Sequence, residues 1–267
     1  MHDYCEAAVG KDRKILIPYL VAGDPDLDTT LALMHSLVEQ GADVIELGFP
    51  FSDPSSDGPV IQRGVERALK AGTRLTDVFN LVAQFRRDND QIPVVLMGYL
   101  NPIEIMGYEH FAERARTAGI DGVLIVDLPP SESSDLHASL RNADIDTLYL
   151  VAPTTGPKRA ADIIAHTSGY LYYVSLKGVT GAALIDQEAI AGKIAELRSM
   201  TTLPIVIGFG IKDADSAAAM ARFADGVVIG SALVDRIADL SPGADADAVT
   251  ATTALIGLAR DALDTLK

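Results

Sequence analysis

Gly41-Ala-Asp-Val-Ile-Glu-Leu-Gly-Phe-Pro-Phe-Ser-Asp-Pro54, continued by Ser55-Ser-Asp-Gly-Pro59, runs from a short apolar strand straight into a polar loop. Residues 44–47 are apolar except for Glu46, without the apolar–polar alternation of a half-exposed strand. A strand apolar on both faces belongs to a sheet covered on both sides, which is the parallel kind. Residues 15–21, 93–97, 122–126, 147–151, 170–174, 205–207 and 226–229 read the same way. Between them lie amphipathic stretches at 27–40, 58–70, 76–87, 108–118, 132–141, 158–166, 187–200, 214–223, 232–240 and 248–266. Leu31, Met34, Leu37 and Val38 share one helical face, as do Val78, Leu81, Val82 and Phe85. Strand–helix alternation implies parallel pairing through crossovers. Eight such units in a chain of 267 residues match the size of a (β/α)8 TIM barrel with extra N-terminal and loop helices. A doubly wound open sheet is the competing architecture. No Gly/Ser-rich linker divides the chain, and Ser241-Pro-Gly-Ala-Asp-Ala reads as a turn before the last helix, so residues 1–267 are expected to form one domain.

The charge balance narrows the function. With 22 Lys+Arg against 37 Asp+Glu the net charge is −15. Neither the basic stripe of a nucleic-acid binder nor the polybasic patch of a membrane-surface protein is compatible with that. A single cysteine, Cys5, excludes an internal disulfide and a thiolate metal cluster. Residues 1–14 are studded with charges and lack the apolar core of an export signal, and no apolar run approaches a membrane span. The expectation is a soluble, cytoplasmic protein.

In a barrel of this kind, chemistry belongs at the C-terminal ends of the strands. Glu46 stands inside the second apolar strand, where ionisation away from water is costly. Two readings remain open: a structural carboxylate paired with a Lys or Arg, or a catalytic acid with a pKa lifted by burial. Asp57 and Asp53, in the following loop, are likewise either helix caps or functional acids. Three glycine-bearing turns follow the last three strands: Lys177-Gly-Val-Thr-Gly181, Gly208-Phe-Gly-Ile211 and Gly230-Ser231. Backbone amides there suit a phosphate, most directly where Gly230-Ser231 opens a helix. The five histidines, His2, His35, His110, His137 and His166, show no metal-ligand spacing, so no metal is expected.

These motifs resemble the tryptophan synthase alpha chain family. The matching segments are Pro18-Tyr-Leu-Val-Ala-Gly-Asp-Pro25, the 41–54 run quoted above and Asp57-Gly-Pro-Val-Ile-Gln62. Met97-Gly-Tyr-Leu-Asn-Pro102, Gly122-Val-Leu-Ile-Val-Asp-Leu-Pro129, Ser175-Leu-Lys-Gly-Val-Thr-Gly181, Gly208-Phe-Gly-Ile211 and Gly230-Ser231 complete the set. The resemblance implies a lyase of tryptophan biosynthesis that splits indole-3-glycerol phosphate into indole and glyceraldehyde 3-phosphate by a retro-aldol reaction. It implies Glu46 as general acid/base, Asp57 as acceptor for the indole N–H, and Tyr172 beside Glu46. It further implies Gly181, Phe209, Gly210, Gly230 and Ser231 at the phosphate, Tyr19, Tyr99, Leu124 and Val126 around the indole, and Thr180 on a closing loop. Asp53, Pro54, Asn101 and Pro102 match loops facing a beta chain in an αββα heterotetramer. Pyridoxal phosphate belongs to that beta chain; this chain is expected to carry no cofactor. Ser175-Leu176-Lys177 departs from family members that place an Arg next to the serine. A stand-alone indole-releasing lyase and a catalytically silent activating subunit are the alternative functions.

Overall fold

The computed structural model describes residues 1–11, 13–174, 187–208 and 210–266. Among them are the strands β1 (Ile15–Val21), β2 (Ile45–Gly48), β3 (Val94–Gly98), β4 (Gly122–Ile125), β5 (Asp146–Leu148), β6 (Leu150–Val151), β7 (Leu171–Val174), β8 (Ile205–Gly208) and β9 (Gly226–Ile229). All pair in parallel, in the order β5-β4-β3-β2-β1-β9-β8-β7-β6. The two ends of that order adjoin in sequence, because only Tyr149 separates β5 from β6. The sheet therefore closes on itself as the expected TIM barrel, and the open doubly wound sheet is excluded. The fifth strand, expected to be continuous, is split because its first half bonds to β4 and its second half to β7.

The helices are α1 (His2–Val9), α2 (Leu27–Glu39), α3 (Pro59–Lys70), α4 (Leu75–Phe85), α5 (Leu100–Met106), α6 (Tyr108–Ala118), α7 (Ser134–Asn142), α8 (Pro157–His166), α9 (Gln187–Arg198), α10 (Ala214–Ala221), α11 (Ser231–Ile237) and α12 (Ala246–Asp264). Three start on an aspartate that accepts a first-turn amide: Asp26 from Thr29 at 2.7 Å, Asp213 from Ser216 at 2.8 Å and Asp245 from Ala248 at 2.8 Å. Helix α5 was not expected from the sequence. None of the described helices is long and apolar enough to cross a membrane.

The apolar strands conceal an alternation that burial makes visible. In β1, Ile15, Ile17, Tyr19 and Val21 join a cluster inside the barrel, while Leu16 and Leu20 join the layer between strands and helices. Val44 faces inward and Ile45 and Leu47 outward in the same way. Period two is present, but both faces are dry, so polarity does not reveal it.

The N-terminal end of the barrel is held by charge. Asp43 accepts Arg13 Nε at 2.8 Å, Arg260 from α12 at 3.0 Å and the Leu16 amide at 2.9 Å. Arg260 also donates to the Lys14 carbonyl at 2.8 Å. One carboxylate thus ties the entry to β1 and the entry to β2 to the last helix. Asp43→Ala would take from the buried Arg260 its only buried carboxylate partner among the described residues, leaving it the half-exposed Asp264, so unfolding in denaturant should show a loss of about 3 kcal/mol. Protein that remains folded should keep its full activity, because this cluster lies at the opposite end from the strand C-termini.

Candidate active site

Register places Glu46 level with Tyr19 of β1 and Val95 of β3, both members of the inner cluster. The Glu46 side chain is fully buried. Tyr170 donates its hydroxyl to Glu46 Oε1 at 2.6 Å, and Oε2 has no hydrogen-bond partner among the described residues. Among the described residues no Lys or Arg pairs with it. Burial, only partly offset by the Tyr170 bond, lifts this carboxyl from 4.5 to about 7. Tyr170 was part of an expected strand but was given no role from the sequence. It lies two residues before Tyr172, so both rings enter the barrel on successive levels.

Two strand-end glycines make room for aromatic rings. A Cβ at Gly48 would stand 2.3 Å from the Tyr19 hydroxyl, and one at Gly208 would stand 2.0 Å from that of Tyr172. Both phenols are held well above their ordinary ionisation, chiefly by burial. The negative charges of Asp57 and Glu46 both bear on Tyr19, so both acids lie near its ring.

Asp57 does not cap α3. The capping position is Gly58, and no side chain bonds there. Instead, Tyr99 donates its hydroxyl to Asp57 Oδ2 at 3.0 Å and accepts the Ser56 amide at 3.0 Å. Burial raises the Asp57 pKa, and the Tyr99 bond opposes the rise. Tyr99, expected as a wall of the indole slot, therefore also holds an acid. Tyr19, Asp57, Tyr99 and Val126 line a narrow cavity of only about 10 Å³ together with Phe49, Phe51 and Met97. Leu124 is fully buried in the inner cluster and does not line it. A larger depression, between residues 129–131 and 156–159, contains none of these groups.

Gly210 follows β8, and Gly230-Ser231 follows β9, the other neighbour of β1, to open α11. Gly210 and Ser231 are exposed, and no side chain caps the first turn of α11. Thr180, Gly181, Phe209 and the Ser175-Leu176-Lys177 segment lie outside the described residues. Asp53 is exposed and Pro54 half-buried on the β2 loop. Asn101 and Pro102, expected on a loop, occupy the first turn of α5, whose Ile105 is 81% exposed. Proline is tolerated there because first-turn amides have no helical partner in any case. Among the described residues no group of three His, Cys, Asp or Glu could hold a metal ion.

The sequence matches the family model described as tryptophan synthase alpha chain over residues 6–262. It is 54% identical over 255 residues to the tryptophan synthase alpha chain of Marinobacter nauticus, covering 95% of this chain and 94% of the relative. It is 57% identical over 234 residues to that of Thioalkalivibrio sulfidiphilus, covering 88% of each. Among solved structures, tryptophan synthase subunit alpha of Legionella pneumophila superimposes with a TM-score of 0.91 at 43% identity, covering 99% of this chain and 98% of that one. A chain of the tryptophan synthase a2b2 complex of Pyrococcus furiosus superimposes with a TM-score of 0.83 at 38% identity, covering 92% and 97%. With a closed barrel, two inward acids and matches of this extent, the chain belongs to the tryptophan synthase alpha chain family.

Proposed function

We propose that this chain is a cytoplasmic lyase that cleaves indole-3-glycerol phosphate into indole and glyceraldehyde 3-phosphate, as the alpha subunit of a tryptophan synthase. The observation that carries this reading is that a fully buried acid, Glu46, and a half-buried one, Asp57, both lie near enough to Tyr19 for their charges to bear on it. A retro-aldol cleavage at an indole ring needs a proton placed on ring carbon C3 and a proton removed from the adjacent side-chain hydroxyl. A carboxyl group near pKa 7 can do both in turn. Glu46 gives its proton to C3, and the ring becomes iminium-like. Asp57 accepts the indole N–H and stabilises that charge. The hydroxyl proton then passes to Glu46, the oxygen forms the aldehyde C=O, and the electrons of the broken C–C bond return to the ring. Glu46 must turn from Tyr170 toward the cavity to reach C3. Tyr172 and Tyr19, with Tyr99 and Val126, keep the ring's surroundings apolar. Gly210, Gly230 and Ser231 are assigned to the phosphate through their main-chain amides; the family resemblance adds Gly181 and Phe209 there and Thr180 to loop closure, all three outside the described residues.

The partner is a beta chain, and its pyridoxal phosphate serves the second reaction; this chain contributes no cofactor. The docking side carries Asp53, Pro54, Asn101 and Pro102, with exposed Ile105 as an apolar knob beside them.

Release of glyceraldehyde 3-phosphate from indole-3-glycerol phosphate, followed with and without a beta chain, tests this reading. Glu46→Gln should lower kcat by about 10²–10⁴-fold with the fold unchanged; near-normal turnover would refute it. Stability should depend on pH through the same group. Between 4.5 and about 7 the folded state keeps a proton that the unfolded state has released, so stability falls as pH rises through that window and levels off above it. The fall is on the order of 3 kcal/mol, read from denaturant midpoints, and Glu46→Gln should abolish it. Tyr170→Phe removes the bond that favours the charged carboxylate, so the descending step should extend to higher pH.

A further inference from the structure

Resting on the assignment of Asp57 as the indole acceptor, we propose that Asp24, Arg67 and Gln62 form a positioning relay that fixes Asp57 through α3. The relay begins at the end of β1. Asp24 is fully buried, and Arg67 of α3 grips it with two parallel bonds, Nε to Oδ1 and Nη2 to Oδ2, each 2.7 Å. Burial alone raises the Asp24 pKa, and Arg67 acts against that rise. A buried ion pair is a poor source of stability, but a planar fork on a carboxylate fixes geometry tightly.

Helix α3 lies directly against this carboxylate. A Cβ at Gly64, one turn before Arg67, would stand 3.0 Å from Asp24 Oδ2 and 2.9 Å from Val234 Cγ1 of α11. The glycine lets α3 pack against β1 and against the helix that Gly230-Ser231 opens. At its first turn, α3 holds the acid loop. Gln62 Nε2 donates to the Asp57 carbonyl at 2.8 Å and to the Pro54 carbonyl at 3.4 Å. The Asp57 amide closes the same turn by donating to the Pro54 carbonyl at 3.1 Å. Tyr99 thus orients the Asp57 carboxylate, while α3 sets where its backbone stands. Arg67 and Gln62 are positioning residues: neither bonds to the Asp57 carboxylate, and both act on it through the helix.

The relay is tested with Arg67→Met, which keeps the stem but removes the fork. Gln62→Leu serves as a second variant because it leaves no buried charge unpaired. Each should lower kcat for indole-3-glycerol phosphate by about 10–100-fold, as expected for a misplaced acceptor, with KM within about twofold. On an Asp57→Asn background the same substitutions should cost no more than about twofold, since the group they position is gone. Hydrogen exchange supplies a readout independent of turnover: the Ser56 and Asp57 amides should exchange faster in both variants, while β1 amides stay protected. Equal losses in both backgrounds, or unchanged exchange at Ser56 and Asp57, would overturn the relay. If the unmodified protein fails to cleave the substrate, the assignment of Asp57 falls, and the exchange data alone decide whether α3 positions the loop.

Discussion

A carboxylic acid enclosed by apolar strands is the constraint around which this site is arranged. Glu46 has one hydrogen bond, from Tyr170, and no cation near enough to pair with it among the described residues. Ionisation is therefore penalised and the proton is retained to about pH 7. A carboxylate on the surface would have released its proton far below that, leaving nothing to place on a ring carbon. Enclosure requires bulk, and the bulk comes from Tyr19, Tyr170 and Tyr172. The glycines ending β2 and β8 allow two of these rings to lie across the strand ends without displacing the sheet.

The second acid sits in a different setting. Asp57 stands on a loop, half-buried, with a phenol on its carboxylate and a helix beneath its backbone. The two groups differ in how they are held: Glu46 by a strand and a dry interior, Asp57 by α3 and Tyr99. Such a pair can divide proton transfer and charge stabilisation between them. The opposite end of the barrel does separate work. There Asp43 and Arg260 join the first strands to the last helix, so stability and chemistry occupy opposite ends of the same strands.

Much of this was legible in the sequence, for identifiable reasons. Strands dry on both faces read as continuous apolar runs, and eight such runs alternating with helices leave few architectures. Glu46 stood out because an acid is expensive inside an apolar strand; Asp57, in a polar loop, could equally have been a helix cap, and the family resemblance gave it its role. What escaped was long-range. Tyr170 lies 124 positions from Glu46, and nothing local distinguishes it from a packing tyrosine. Tyr99 was expected only as a pocket wall, by family resemblance; its bonds to Ser56 and Asp57 depend on how two loops meet. Helix α5 was hidden by Asn101-Pro102, a pair that favours turns but also fits the first turn of a helix. The break at Tyr149 arises from barrel closure, which no single strand encodes.

The most direct measurement is an infrared titration of the Glu46 carboxyl, assigned by subtracting the spectrum of Glu46→Gln. A protonated-carboxyl band that disappears only as pH passes about 7 is the predicted result. A band already lost in the ordinary carboxylate range, near 4.5, would mean that the barrel does not hold the proton and that the acid role has been misassigned.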